Sequence, residues 1–333
     1  MCPVRDERAT IDAVLDALEQ QTYPTDLLEV VVVDGSSTDG TRERVLDRAR
    51  AGRLRLRLVD NPRLVTPVAL NLGIEAALGE VIVLVGGHTI VAPDFVERSV
   101  GALDETGAAC VGGRIETLGE GRVARAIAIA QSSRAGVGGV AFRTVDEGAM
   151  RVDTVAYGAY RREVFDQIGL FDEELVRNQD DELNFRLTQA GGLIWFDSRI
   201  RSTYRSRATL PRLARQYHDY GLYKVLVMQK RRGVPAPRHL VPAGAVLVLV
   251  ASIGVGALSS SVAVPVAAWG SYLGGCLLAG TWEARRDIDA LPIVPVALVA
   301  LHLPYGVGFL RGLWRFRDRW GGAGRQAGVG TMP

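Results

Sequence analysis

From Leu240 to Val266 and beyond the chain carries no Asp, Glu, Lys or Arg. A bilayer core takes a helix of about 20 apolar residues. The run supplies more than one of them, with the polar Ser259–Val262 step as the natural break. One span then ends near Leu258, and a second runs from about Val262 to Gly280. A third candidate, LPIVPVALVALHLPYGVGFL (291–310), is interrupted by Pro292, Pro295, Pro304 and His302. One such run could be a buried core helix. Three close together predict a membrane protein.

Lys and Arg set the orientation of such spans. Lys230, Arg231, Arg232 and Arg238 precede the first, and Arg285 and Arg286 follow the second. The polar part before residue 239 is therefore expected on the cytoplasmic side of the inner or plasma membrane. Arg311, Arg315, Arg317 and Arg319 follow the third run. A third crossing would put them outside, against the rule, unless the segment turns back at Pro304.

The polar part has its own architecture. Ile11, Val14, Leu15 and Leu18 recur at helical spacing. LEVVVVD is a short apolar strand of the kind buried on both faces of a parallel sheet. A helix ending at Gly52, the alternating strand LRLRLVD, a helix opened by Thr66-Pro67, and the strand VIVLV (81–85) follow. This β-α-β-α-β order predicts an α/β sheet with parallel strands. Ligands of such sheets sit beyond the carboxyl ends of the strands, where Asp34 and Gly86-Gly87-His88 lie. ACVGGRIE and LIWFDSRI are later strands. Residues 134–149, rich in small side chains, read as a loop. Residues 206–238 read as a basic amphipathic connector, with Leu210, Leu213, Tyr217, Tyr220 and Lys224 near one face. Such a face would lie on anionic lipid. The divisions are thus 1–205, 206–238, 239–310 with two to three membrane segments, and a basic Gly-rich tail 311–333. A net charge of +2 excludes a nucleic-acid binder on electrostatic grounds. Three scattered cysteines without a CxxC pair give neither a disulfide framework nor a zinc site. The start, MCPVRDERAT, lacks the apolar core of a signal peptide.

Four segments in register carry a resemblance. VVVVDGSSTDGT, NLGIEAALGEVIVLV, YGAYRREVFDQIG and NQDDELNFRL together resemble a family-2 glycosyltransferase of the GT-A fold. The likeness is to the succinoglycan-type exopolysaccharide enzymes, over about residues 3–310. It implies a membrane-anchored, inverting transferase that moves a sugar from a nucleotide-sugar donor to a lipid-linked or envelope glycan acceptor. It also implies site residues. Asp34 and Asp39 match nucleotide-binding positions, although both equally suit turn and helix capping. Asp180 matches the catalytic base. Asp181 and Glu182 flank it, with Glu182 also placed to orient Arg186. Gly158, Arg161, Arg162 and Gln216 match the region of the donor sugar and acceptor. His88 matches the last position of an Asp-x-His pattern that holds a divalent metal, Mn²⁺ or Mg²⁺.

Two departures qualify the resemblance. Gly86 stands where that pattern has its first Asp, and a lone imidazole suits Mn²⁺ better than Mg²⁺. The first strand is nearly absent, because PVRDE follows directly on Met1-Cys2. Its loss would leave a strand edge unpaired and a core groove open, which predicts an upstream natural start or poor folding. Both departures favour an alternative: a degenerate member that binds nucleotide sugar or lipid glycan without turnover.

Overall fold

A computed structural model describes residues 1–234 and 236–319; the end of the basic tail lies outside the described residues. In chain order the catalytic part runs β1 (Cys2–Val4), α1 (Ile11–Glu19), β2 (Glu29–Asp34), α2 (Thr41–Ala51), β3 (Arg55–Asp60), α3 (Thr66–Ala76), β4 (Val81–Val83) and β5 (Thr89–Val91). It continues with α4 (Phe95–Thr106), β6 (Cys110–Leu118), α5 (Arg122–Gln131), α6 (Arg134–Val137), α7 (Ala141–Thr144), β7 (Ala149–Arg151), β8 (Ala159–Arg161), α8 (Arg162–Ile168), α9 (Gln179–Gln189) and β9 (Ile194–Arg205). Four helices close the chain: α10 (Leu210–Arg231), α11 (Val241–Leu258), α12 (Ala263–Glu283) and α13 (Val294–Arg315).

The parallel ladder β1-β2-β3 forms one sheet, and β4-β8-β6-β9-β5 with β7 on β9 forms the other. β2 is the four-valine run. Branched side chains stiffen it as a strand, and helices on both sides bury Val30 to Val33 completely. The predicted apolar face of α1 is buried as read, with Ile11, Val14, Leu15 and Leu18 inside.

The strand expected to be missing is present in three residues. Cys2, Pro3 and Val4 pair with Val32, Val33 and Asp34, so the edge of β2 is not open. The Met1 ammonium donates to the Val83 carbonyl (2.8 Å), and Val85 N–H donates to the Met1 carbonyl (3.0 Å). Those two bonds join the sheets, and Cys2 and Val4 fill the groove as buried core. A short strand suffices because both its flanks are paired. The loop read over 134–149 is also corrected. It contains the two helical turns α6 and α7, the first capped by the Ser133 side chain accepting from Gly136 N–H.

Three helices are long and apolar enough to cross a membrane: Pro237–Leu258, Ala263–Glu283 and Val294–Arg315. α11 and α12 leave large apolar side chains exposed, among them Leu247, Val250, Ile253, Leu273, Leu277 and Leu278. α13 differs. It stays helical through Pro304, so the expected reversal there is absent. Its first half lies along α5 and α6: Arg125 pairs with Asp287 just ahead of it (2.8 Å), and His302 Nε2 donates to the Ala135 carbonyl (2.8 Å). Its second half runs beside α10 so closely that a Cβ on Gly308 would fall 2.0 Å from the His218 carbonyl oxygen. The α10 face expected to rest on lipid is therefore occupied by protein, with Leu213, Tyr217 and Val225 packed against α13.

Candidate active site

The loops after β1, β2 and β4 meet at the carboxyl ends of their strands and are laced together. Asp6 N–H donates to Ser37 Oγ (2.9 Å), Arg8 N–H to Asp39 Oδ2 (2.9 Å), and Thr10 Oγ1 to the Gly87 carbonyl (2.9 Å). This lacing brings Asp34, Asp39 and His88 onto one rim. Asp34 is buried at the end of β2; its Oδ1 accepts from Ser37 Oγ (2.5 Å), and Arg42 Nη1 lies 3.6 Å from Oδ2. Asp39 accepts from Thr41 N–H (3.0 Å) and from the Thr41 hydroxyl. That hydroxyl is the main cause holding its carboxyl below the ordinary Asp value. The capping role of both aspartates is thus visible, and each spends oxygen lone pairs on it.

His88 is half-exposed. Its Nδ1 faces Glu7 Oε1 at 2.8 Å, and its Nε2 has no hydrogen-bond partner among the described residues. Beside it, the space a Cβ on Gly86 would enter is taken by Thr89 Oγ1 (2.8 Å) and the Tyr157 ring (3.3 Å). Tyr157 has φ +52°, a left-handed conformation that a bulky side chain adopts only at a cost of roughly 1–3 kcal/mol. Burial pushes its phenol up to about 12.

The acidic tip of α9 is tied to the segment before β8 and to α10. Asn184 donates to Thr154 Oγ1 (3.0 Å) and the Val155 carbonyl (3.1 Å), and accepts from Tyr160 OH (2.9 Å). The segment it grips runs on to Gly158, whose carbonyl accepts from Leu84 N–H beyond β4 (3.0 Å). Asp180 lies four residues before Asn184, hence one turn earlier on the same helix face. Asn178 pins the tip to α10 by donating to the Tyr220 carbonyl (2.9 Å).

The three acids of this tip have different fates. Asp181 forms an ion pair with the buried Lys224. Glu182 is fully buried between Arg186 (2.7 Å) and Arg231, and Arg186 in turn donates to the Leu170 carbonyl (2.7 Å). Asp180 alone of the three has no ion-pair partner among the described residues. Desolvation raises its carboxyl above the ordinary Asp value.

Several expected site residues sit elsewhere. Arg161 pairs across the sheet with Val81, at the amino end of β4, and donates to the carbonyls of Leu103 (2.8 Å) and Ala108 (3.2 Å). Arg162 donates to the Gly79 carbonyl (2.7 Å) and to that of Ala77 (2.6 Å). Both arginines bond backbone carbonyls of neighbouring loops near the amino end of β4, to which β8 runs antiparallel. Glu182 is likewise taken up, by Arg186 and Arg231. Gln216 donates to Tyr220 OH (2.8 Å) and so acts on the rim only through Tyr220.

Other residues belong to the rim although the motifs did not point to them. The Tyr204 ring lies 5.9 Å from that of His88. The Arg143 guanidinium sits 5.5 Å from the Tyr204 ring centroid and donates to Thr117 Oγ1 (3.0 Å). No signal in the sequence distinguished Arg143 from a loop arginine. Lys224 did carry one, as a cation on an otherwise apolar helix face.

For a divalent metal the protein offers little. Among the described residues no three His, Cys, Asp or Glu side chains gather as a cluster. What is present is a carboxylate–histidine pair. With Nδ1 against Glu7, Nε2 would be the nitrogen offered to a metal, as carboxylates commonly orient metal-binding imidazoles. That fits a cation held chiefly by the oxygens of a diphosphate, with one protein ligand.

Known proteins share this architecture. Residues 1–169 match the family model Glycosyl transferase family 2. The chain is 33% identical over 325 residues, 95% of each protein, to the succinoglycan biosynthesis protein ExoA of Rhizobium meliloti. It is 27% identical over 235 residues, 68% of this chain and 73% of the relative, to a dolichyl N-acetyl-α-D-glucosaminyl phosphate 3-β-D-2,3-diacetamido-2,3-dideoxy-β-D-glucuronosyltransferase of Methanococcus voltae. Among solved structures, the mannosyltransferase PcManGT of Pyrobaculum calidifontis, in complex with GDP-Man and Mn²⁺, superposes with a TM-score of 0.62 at 20% identity, covering 94% of this chain and 86% of that one. The chain therefore belongs to glycosyl transferase family 2, and is a nucleotide-sugar-dependent glycosyltransferase of the GT-A fold with a C-terminal set of apolar helices.

Proposed function

We propose that this enzyme transfers a sugar, with inversion, from a nucleotide-sugar donor to a lipid-linked or exopolysaccharide glycan at the cytoplasmic face of the membrane. The observation that supports the reading is Asp180, a carboxylate with no ion-pair partner among the described residues and raised in pKa; in this reading it faces the crevice bordered by Asp34, Asp39 and His88. Such a group suits a general base. It takes the proton of the acceptor hydroxyl as that oxygen bonds to the anomeric carbon. The bond from that carbon to the diphosphate breaks on the opposite face. Asp34, Asp39 and the loop between them line the place of the nucleoside. A bound Mn²⁺ would neutralise charge on the leaving diphosphate, and His88 Nε2 would be its protein ligand. Relatives agree in kind: one is named for succinoglycan biosynthesis, another for a dolichyl phosphate sugar substrate. Of the two observations that favoured a binder without turnover, only Gly86 remains, since β1 is in place. A donor screen on membranes containing the protein, read as sugar transfer with and without Mn²⁺, tests the reading; no turnover of any donor would reject it.

Glu7→Gln is expected to raise the Mn²⁺ concentration needed for half-maximal activity by about 10–100-fold, as loss of a carboxylate that orients a metal-binding imidazole does. A Mn²⁺ titration of the purified enzyme checks it, and an unchanged midpoint argues that His88 binds no metal.

The packing also bears on topology. α13 packs on α5, α6 and the charged α10 as well as on α11 and α12, and leaves Val307, Leu313 and Trp314 exposed. In our reading α11 and α12 cross as a hairpin while α13 stays on the catalytic side. The basic residues Arg311–Arg319 then remain cytoplasmic, which restores the charge rule. A cysteine placed at Asp318 is expected to be labelled only from the cytoplasmic face; labelling from outside would require α13 to cross.

A further inference from the structure

Where the loop before α9 meets α10 and α13 there is an open cleft of about 340 Å³, lined by Val176, Arg177, His218, Leu222, Arg311 and Arg315, together with Tyr223 and Asp219. Its one acid, Asp219, is turned to His218 Nδ1 (3.3 Å). Arg177, Arg311 and Arg315 have no ion-pair partner among the described residues, so the cleft sets three guanidinium groups against one carboxylate, with Arg177 also donating to the Val176 carbonyl (3.0 Å). Arginine forks of this kind match phosphate oxygens. The apolar surroundings are directional. Val307, Leu310 and Trp314 follow one another at helical spacing on α13, Val307 and Trp314 well exposed, beside the row that carries Arg311 and Arg315. The cleft is also close to the chemistry. Arg177 precedes Asp180 by three residues, and the Asn178–Tyr220 bond that anchors the tip of α9 to α10 adjoins Asp219.

We propose that this cleft holds the phosphate or diphosphate of a polyprenyl-linked acceptor, with the prenyl chain laid along the Val307–Leu310–Trp314 stripe. The proposal rests on the lipid-linked reading of the acceptor above. It explains why α13 is kept at the catalytic side: its arginines hold the headgroup there, and the glycan reaches Asp180 past the Asn178 clasp.

The test uses the full-length protein and phosphatidylcholine vesicles containing polyprenyl diphosphate, with vesicles containing phosphatidylglycerol and free inorganic pyrophosphate as the other arms. Binding selective for polyprenyl diphosphate is expected, and Arg311→Gln with Arg315→Gln should weaken it by about ten-fold or more, in keeping with the loss of charge-assisted bonds. Unchanged binding in that variant overturns the proposal. So does equal binding of phosphatidylglycerol or of pyrophosphate. Should the variant fail to fold, phenylglyoxal modification of the unaltered protein reads the same contact: polyprenyl diphosphate protects Arg311 and Arg315, and absence of protection is again fatal. Donor turnover is measured separately. Headgroup binding without turnover of any donor would remove the transferase reading and leave the cleft standing; turnover with an unaffected double variant would do the reverse.

Discussion

Asp180→Asn is expected to lower kcat by about 10²- to 10⁴-fold, the usual share of a general base, while leaving the affinity for the nucleoside diphosphate product nearly unchanged. The geometry separates the two effects. Asp34 and Asp39 belong to loops braced by Arg8, Ser37 and Thr41, none of which touches α9. Asp180 makes no side-chain bond whose loss would move the helix tip. The pH dependence follows from its environment. Burial raises its folded pKa above the ordinary Asp value, so the acid limb of kcat/KM should lie above the ordinary carboxylate range and vanish in the variant. Stability carries the opposite sign. A carboxyl with a raised folded pKa favours the fold while protonated, and that contribution is lost as pH rises through the folded pKa. At neutral pH the ionised Asp180 is therefore a burden, and the uncharged Asn should hold the thermal midpoint or raise it. Product binding by calorimetry, a melting curve and single-turnover transfer together decide the matter; a variant that turns over at the original rate assigns the base elsewhere.

What could be read from residues alone divides by the range of the interaction. β2, α1 and the helix over 179–189 were legible because a valine run, a 3.6-residue apolar period and an acidic start are local patterns. Asp34, His88 and Asp180 were legible as positions, since each follows or opens such an element. Which acid of NQDDELNFRL is free was not. That depends on Lys224 and Arg231, more than forty residues away, and only packing of α10 on α9 shows that Asp181 and Glu182 are neutralised. Arg161 and Arg162 show the same limit. Their motif gives spacing but not the antiparallel direction of β8, which carries them toward the amino end of β4. The short β1 misled in the other direction. Strand length was the legible quantity, whereas its stability comes from partners on both flanks. Hydropathy likewise could not tell α13 from α11 and α12, since all three are long and apolar enough to cross a membrane while α13 is the most buried of them.

Lys224→Met should destabilise the protein by about 3 kcal/mol, the low end of the usual cost of breaking a buried ion pair by removing one partner. The low end applies because Asp181 keeps 19% of its side chain exposed while Lys224 keeps 3%. Burial, with the nearby Arg238 charge, lowers the Lys224 ammonium below its ordinary value, while the carboxylates of Asp153 and Asp180 work to keep it charged. Removing the cation leaves Asp181 desolvated beside Asp180, with nothing to offset either charge. The second carboxylate then disfavours ionisation of the first, so the acid limb of activity moves to higher pH in whatever fraction remains folded. Lys224→Met with Asp181→Asn removes both charges and should recover most of the lost stability, as neutral replacement of a buried pair often does. The pair also ties α10, and through it α13 and the apolar helices α11 and α12, to the acidic tip that carries Asp180. Lys230 adds a second tie to Asp172 (2.6 Å). If the pair only stabilised the fold, the double variant would regain activity together with stability. If it sets where the helix tip stands relative to the membrane, stability returns while transfer to a lipid-linked acceptor stays low and hydrolysis of the donor does not. Denaturant melts of the single and double variants, run beside those two activities, distinguish the cases; equal stability of Lys224→Met and the unaltered protein would show that the ion pair holds nothing together.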